Sequence, residues 1–294
     1  MPATIQPLEG IRVLSLALNL PGPAALMRCR QMGAQCTKME PPPRPGASSS
    51  DPMGLYCPAA YATLHDGVQV LHADLKTPEG QATLQAELAR CDVLITSFRP
   101  SALAKLGLAW PTLHVTYPQL SLVRIVGARG SAAEAPGHDL TYLAQAGLVT
   151  DVSMPATLFA DMGGALMASE AVLQAQLARA HTGLGSCIEV ALADAADWLG
   201  LPRTWGLTGP HGDVGGAHAG YRVYPCADGR VALAALEPHF AARVYALLGL
   251  PADTDPRAPA TQTAVARYLR LQTRAQLDAI ARAHDIPLHT MAPW

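Results

Sequence analysis

Two ionisable residues in this sequence stand at the starts of predicted helices, where they could take part in proton transfer. Asp161 precedes a long alanine-rich helix, and His138 precedes a shorter one in the segment GHDLTYLAQAGL. A helix N-terminus keeps a carboxylate ionised, and its free N–H groups can stabilise a developing oxyanion. An imidazole titrates near neutral pH and can serve as a general base. Both residues also have a structural interpretation, because Asp is a favoured helix cap and a histidine at a helix start can be merely hydrogen-bonded.

Further polar and glycine positions could extend such a site. Gly163 and Gly164 fall in the first turn of the long helix and would let the backbone come close to a ligand. Glu237 begins a Glu-Pro pair, a pattern that also suits an ordinary helix start. His211 and His218 lie in a glycine-rich stretch without a metal-ligand spacing, so we expect solvated loop histidines and no metal site.

Alternating strands and helices must position these residues. Short apolar runs that suit buried parallel strands recur through the first two thirds of the chain, with helical segments between them. The runs cover residues 11–17, 36–40, 68–75, 92–98, 120–127 and 187–192. Such alternation gives right-handed crossovers and a parallel sheet with helices on both faces. The proline- and serine-rich segment 41–54 is expected to be a loop without regular structure.

The later part of the chain differs in pattern. Residues 206–219 are rich in glycine, and two strands follow around an Asp-Gly turn that is typical of a hairpin. We therefore predict a large α/β domain over residues 1–205, a linker over 206–219 and a smaller α+β domain over 220–294.

Composition narrows the possible functions. The 294 residues include 21 basic and 23 acidic side chains, a balance that argues against a nucleic-acid partner. No apolar run is long enough for a membrane helix, and the N-terminus lacks the pattern of a signal peptide. Six scattered cysteines are expected to be reduced thiols, which together with the missing signal indicates the cytoplasm. The turn LNLPGPAA does not match the GxGxxG pattern of dinucleotide sites.

An ordered set of segments resembles the family III CoA-transferases (CaiB/BaiF type), and among them the branch of 2-methylacyl-CoA racemases. The segments, in chain order, are PLEGIRVLSLALNLPGPAA, QMGAQCTKMEPP, HADLKTPEG, DVLITSFRPSALAKLGL, GHDLTYLAQAGL, the helix at Asp161, and YRVYPCADGRVALAALEPHF. The resemblance implies a Rossmann-like large domain and a smaller one, assembled as a homodimer. It also implies an acyl-CoA substrate and no cofactor apart from the coenzyme A of that substrate.

The same resemblance assigns roles to residues. It implies that Asp161 is the catalytic carboxylate, that His138 is a general base of the racemase branch, and that Glu237 orients this histidine. Asp139 and Tyr142 complete the GHD motif in supporting roles. A racemase would exchange the α-proton of a 2-methyl-branched acyl-CoA through an enolate, whereas a CoA-transferase would use the Asp carboxylate as a nucleophile.

Some family positions carry other residues here. Relatives have a basic NRGKRS segment before the third strand, and this chain has HDGVQV at residues 65–70. Arg99 and Lys105 match basic positions of the CoA groove. The loop before Asp161 is short, and the chain ends at HTMAPW where relatives continue, so we expect a less complete interlock of the dimer. Besides a racemase or a CoA-transferase, a third hypothesis is therefore a non-catalytic relative that no longer binds CoA.

Overall fold

A computed structural model describes residues 5–293 of the chain. Two compact units make up the chain, one ending at Gly200 and the other beginning at Leu201. The first unit is built on a parallel sheet of six strands, in the spatial order β3-β2-β1-β4-β5-β6. The strands are β1 (Arg12–Ser15), β2 (Gln35–Glu40), β3 (Gln69–His72), β4 (Val93–Thr96), β5 (Ser121–Val126) and β6 (Cys187–Ala191). The predicted α/β fold class is confirmed.

The central strands are covered on both faces, which explains their continuous apolar sequences. Val93, Leu94 and Ile95 of β4 are all fully buried, although successive side chains of a strand point to opposite faces. Two separate apolar clusters result, since Val93 and Ile95 pack in one and Leu94 in the other. A doubly covered parallel sheet of this kind needs helices on both sides.

Nine helices connect or cover these strands within the described chain. They are α1 (Pro21–Gln31), α2 (Pro52–Tyr56), α3 (Pro58–Leu64), α4 (Pro78–Leu88), α5 (Pro100–Lys105), α6 (Trp110–Thr116), α7 (Asp139–Gln145), α8 (Phe159–Thr182) and α9 (Leu192–Thr204). Proline stands in the first turn of several, where its missing N–H costs no hydrogen bond. Within residues 5–293, every helix is too short or too polar to span a bilayer.

Segment 41–54 is not entirely a loop, contrary to the sequence prediction. Helix α2 begins at Pro52, and Asp51 caps it by accepting a hydrogen bond from the N–H of Met53 at 2.9 Å. The cap satisfies a backbone donor that the first turn of a helix otherwise leaves unpaired. Composition alone predicted a loop without regular structure there, whereas the capping carboxylate allows a short helix to begin.

A buried ion network fixes this segment to the sheet. Lys38, in β2, places its ammonium 2.5 Å from an Asp51 carboxylate oxygen and 3.0 Å from one of Glu40. All three side chains are essentially inaccessible to water. The hydroxyl of Tyr61 donates to Glu40 at 2.9 Å, and the ring of Tyr61 lies 5.0 Å from the Lys38 ammonium. The network therefore joins β2, the cap of α2 and helix α3.

The second unit pairs a three-stranded antiparallel sheet with helices. Its strands are β7 (Tyr221–Cys226), β8 (Gly229–Ala234) and β9 (Leu288–Met291), and its helices are α10 (Pro238–Leu247), α11 (Pro259–Arg270) and α12 (Arg274–His284). The hairpin predicted around the Asp-Gly turn is present, with Cys226 opposite Gly229. Strand β9 was not expected, because the last segment has a mainly helical pattern.

Breaking the buried network should cost far more stability than breaking a surface pair. Lys38→Met keeps the length of the side chain but leaves Asp51 buried without a counter-charge, and Glu40 with only the half-exposed imidazole of His72 at 3.2 Å. We expect the free energy of unfolding to fall by about 3–5 kcal/mol, measured by urea denaturation.

The matched control is Arg30→Met, which removes the partly exposed pair between Arg30 and Asp66. This change should cost no more than about 1 kcal/mol. Equal losses in the two variants would show that burial adds nothing to the Lys38 interaction.

Candidate active site

A cleft of about 620 Å³ opens at the carboxyl ends of the parallel strands. It lies where the strand order reverses, because β1 and β4 are neighbours whose following segments lead to opposite sides of the sheet. Five residues singled out in the sequence line this cleft, although they come from three separate stretches of chain. They are Arg99, His138, Asp139, Tyr142 and Asp161.

Asp161 lies inside the first turn of α8, two residues after the helix begins at Phe159. Asp161 is therefore not the N-cap residue of α8, although the structural interpretation of the sequence had placed it there. Its backbone N–H donates to a carboxylate oxygen of Asp139 at 2.9 Å. Asp139 thus fixes the start of α8, and the N–H of Asp161 itself is already bonded and not available to an oxyanion.

The surroundings of Asp161 favour a proton on its carboxyl group. Burial raises the pKa of Asp161 to about 6, and the negative charge of Asp139 adds to the increase. The positive charge of His138 acts in the opposite direction. A carboxyl group with a pKa near 6 can both donate and accept a proton close to neutral pH.

His138 occupies the residue before α7 and is exposed on the wall of the cleft. Its backbone N–H donates to the hydroxyl of Thr141 at 3.1 Å, and its carbonyl accepts from the same hydroxyl at 2.7 Å. The backbone is thereby fixed at the helix start while the imidazole remains accessible. This arrangement suits a group that must reach a ligand.

Tyr142 forms part of the cleft wall in a niche made by two glycines. A Cβ atom at Gly127 would lie 2.3 Å from the Tyr142 hydroxyl oxygen, and one at Gly137 would lie 2.4 Å from it. Only glycine at both positions leaves room for the phenol. Burial raises the pKa of Tyr142, and the negative charge of Asp161 contributes to the same direction.

Gly163 and Gly164 are needed for a different purpose from the one predicted, which was close approach of the backbone to a ligand. A Cβ at Gly164 would come within 2.2 Å of the Leu192 side chain, and one at Gly163 would lie 3.3 Å from the Cβ of Ala195. Both glycines therefore allow α8 to pack closely on α9. The structure supports close helix packing here rather than close approach to a ligand.

The two basic residues assigned to the CoA groove are placed differently. Arg99 lines the cleft next to the start of α5. Lys105 is exposed at the other end of α5, outside the described lining of the cleft. Near Arg99, Glu134 accepts hydrogen bonds from the backbone N–H and the hydroxyl of Ser101.

The remaining candidates belong to the second unit. Glu237 is exposed at the start of α10, and its carbonyl accepts from the N–H groups of Phe240 and Ala241. Its predicted role toward the histidine stays a prediction. His218 is buried, contrary to the expected solvated loop, and its Nδ1 accepts from the N–H of Gly220 at 2.9 Å.

Burial also lowers the pKa of the His218 imidazole. His211, by contrast, is exposed as expected. Among residues 5–293, no three His, Cys, Asp or Glu side chains come together in a way that could hold a metal ion.

Sequence reasoning missed Asn19 and Tyr56, which also line the cleft. The Tyr56 hydroxyl donates to the Asn19 side-chain oxygen at 3.4 Å. A signal for Asn19 existed, because it lies between the first strand and the Pro-Gly-Pro start of α1, in a connection where Asn tolerates unusual backbone angles. Nothing in the sequence marked Tyr56.

Known proteins resemble this chain over most of its length. Human alpha-methylacyl-CoA racemase is 31% identical over 267 residues, which cover 85% of this chain and 66% of the human protein. The succinate–glutarate CoA-transferase of Agrobacterium fabrum is 31% identical over 288 residues, covering 90% of this chain and 72% of that enzyme. The chain therefore spans about two thirds of the length of these relatives.

Solved structures show the same fold. A hypothetical protein of Mycobacterium tuberculosis superimposes with a TM-score of 0.81 at 23% identity, over 99% of this chain and 87% of the other. A CaiB/BaiF family protein of Brucella suis gives a TM-score of 0.79 at 24% identity, over 97% and 84% of the two chains.

The model of one protein family matches residues 8–293, almost the entire sequence. The resemblance inferred from the ordered segments is thereby confirmed. The chain belongs to CoA-transferase family III.

Proposed function

We propose that this protein inverts the α-carbon of a 2-methyl-branched acyl-CoA through an enolate, with His138 and Asp161 as the two proton carriers. The observation that carries the proposal is the presence of both side chains in one cleft, where burial raises the pKa of Asp161 to about 6. Inversion requires a base on one face of the carbon and an acid on the other. In one direction His138 takes the proton and Asp161 supplies another, and in the reverse direction the roles exchange.

The charges in the cleft support this assignment. Asp139 accepts a hydrogen bond from the backbone of Asp161, and its negative charge makes ionisation of the Asp161 carboxyl group less favourable. His138 remains accessible at the cleft wall.

A CoA-transferase is the second candidate, and the relative from Agrobacterium fabrum bears such a name. In this route the Asp161 carboxylate attacks the thioester carbonyl and expels the CoA thiolate, giving a mixed anhydride. The thiolate then attacks the Asp161 acyl group and releases the first carboxylic acid, leaving an aspartyl-CoA thioester. An acceptor carboxylate repeats the two steps in reverse.

The same proposal includes acyl-CoA binding near Arg99, the guanidinium that lines the cleft. We also propose a homodimer, supported by apolar side chains that α8 exposes at Met162, Leu166 and Leu177. The cytoplasmic location expected from the sequence stays a prediction.

Substitutions at the two proton carriers distinguish the routes. Asp161→Ala should abolish both activities. His138→Ala should lower deuterium incorporation at the α-carbon of 2-methylbutanoyl-CoA by about 10²–10⁴-fold, the usual contribution of general base catalysis. It should leave CoA transfer between carboxylic acids partly intact.

His181→Ala is the matched control, because His181 is exposed in the last turn of the same helix that begins near Asp161. It should retain wild-type activity in both assays. Equal loss of transferase activity in the Asp161 and His138 variants would contradict the division of roles. Wild-type protein without either activity would favour the non-catalytic reading.

The pH dependence follows from the raised pKa of Asp161. In the direction in which Asp161 is the base, and in the transferase route in which it is the nucleophile, the free enzyme must hold Asp161 ionised. For these reactions kcat/KM should fall about tenfold per pH unit below pH 6. An acid limb near pH 4 would show that burial does not shift this carboxyl group.

Stability reports the same ionisation independently of turnover. A carboxyl group whose pKa is raised on folding binds its proton more tightly in the folded state, so its ionisation destabilises the protein as the pH rises from about 4 to 6. Asp161→Asn should therefore increase the free energy of unfolding by about 1–2 kcal/mol at pH 8, after allowance for partial exposure, and leave it unchanged near pH 4.

A further inference from the structure

The proposed chemistry lacks an identified donor for the oxygen of the thioester. Proton removal next to the carbonyl, or attack on it, places negative charge on that oxygen, and a preorganised N–H or O–H group must stabilise it. The N–H of Asp161 is already bonded to Asp139. The Tyr142 hydroxyl is enclosed by two glycine positions, and the residue is only 8% exposed.

Asn19 offers an uncharged donor in the same cleft. It lies four residues after the end of β1 and lines the cleft together with His138 and Asp161. Its side-chain oxygen accepts from the Tyr56 hydroxyl, which directs the opposite end of the amide away from that phenol. Within residues 5–293, the amide nitrogen of Asn19 has no hydrogen-bond partner.

The backbone of Asn19 is held in an unfavourable conformation. Its φ angle is +66°, in the left-handed region that non-glycine residues seldom adopt. Such a conformation persists only where surrounding contacts over-determine it, and these places cluster at functional sites. Asparagine tolerates the region better than other side chains, but glycine would be the default residue.

The buried ion network of Lys38 and Asp51 holds the backbone of Asn19 in this conformation. The N–H of Asn19 donates to Asp51 Oδ1 at 3.1 Å, while the other carboxylate oxygen of Asp51 lies 2.5 Å from the Lys38 ammonium. The Asp51 side chain is completely buried and also caps α2. Lys38 and Asp51 therefore fix both ends of the Asn19–Tyr56 contact.

We propose that the side-chain amide of Asn19 donates a hydrogen bond to the thioester oxygen of the substrate, and that the buried pair of Lys38 and Asp51 positions it. The proposal rests on the proposed function, since both the racemase and the transferase route develop charge on this oxygen. It adds a third participant to the pair of proton carriers. The proposal explains why asparagine stands at a position whose backbone conformation favours glycine, because glycine would lack the side-chain amide.

A binding experiment tests carbonyl recognition without turnover. Calorimetric titration compares 2-methylbutanoyl-CoA with S-(2-methylbutyl)-CoA, a thioether that lacks only the carbonyl oxygen. A neutral hydrogen bond has a net worth corresponding to about 3- to 10-fold in affinity, so wild-type protein should prefer the thioester by that factor. Asn19→Gly should bind the two compounds equally.

Two variants at Asn19 separate the amide from the backbone. Both Asn19→Gly and Asn19→Ala lack the donor, so each should lower kcat by about 10²–10³-fold and raise KM by no more than about 3- to 10-fold. Their melting temperatures should differ, because glycine relieves the left-handed conformation and alanine does not. Asp285→Gly and Asp285→Ala are the matched controls for this relief, because both remove the ion pair with Arg243 and only glycine relieves the φ of +49°. Asp285 lies in the second unit and does not line the cleft.

The outcomes distinguish failure of this inference from failure of the proposed function. Wild-type protein that binds the thioester and the thioether equally, or an Asn19→Gly variant with wild-type kcat, would overturn the role of Asn19 while leaving an acyl-CoA enzyme in place. Wild-type protein that binds neither compound overturns the proposed function and this inference together. Loss of activity in Asn19→Ala alone would assign Asn19 a backbone role only.

Discussion

The buried contact between Lys38 and Asp51 is the constraint on which the geometry of the cleft depends. Removing two charges from water is expensive, and their mutual attraction offsets that cost only when the remaining polar atoms are also satisfied. Here Asp51 accepts from two backbone N–H groups and Lys38 also contacts Glu40. The ion pair thus settles where a proline-rich segment lies, where α2 begins and how the chain leaves β1.

The carboxylates of Asp139, in α7, and Asp161, in the first turn of α8, show a related balance. Asp139 fixes the backbone of Asp161 through a hydrogen bond and at the same time makes ionisation of its carboxyl group less favourable. One interaction is structural and the other electrostatic, and both come from a single buried side chain. The carboxyl group of Asp161 is poorly solvated, and the hydrogen bond from its backbone to Asp139 holds it in place in the site.

The sequence predicted the sheet and the family, but not the contacts that shape the cleft. The apolar run at residues 92–98 became β4 (Val93–Thr96), since burial on both faces requires such a run. Asp161 and His138 were found from their positions at predicted helix starts, and the family resemblance assigned their roles; the structure places them in one cleft. The partnership of Lys38 with Asp51 could not be predicted, because a charge in a polar loop is usually solvated and its burial depends on the fold.

Helix α1 illustrates a consequence for how the chain acquires its structure. Many of its residues are buried, and Arg28 donates from Nε to the hydroxyl of Ser169 in α8 at 2.9 Å. These partners are separated by 141 positions. A ribosome must therefore synthesise more than half of the protein before α1 finds the surface that covers it, so the earliest helix of the nascent chain depends on one of the later ones. Pairing of this range slows folding and leaves the apolar face of α1 open to chaperones in the meantime.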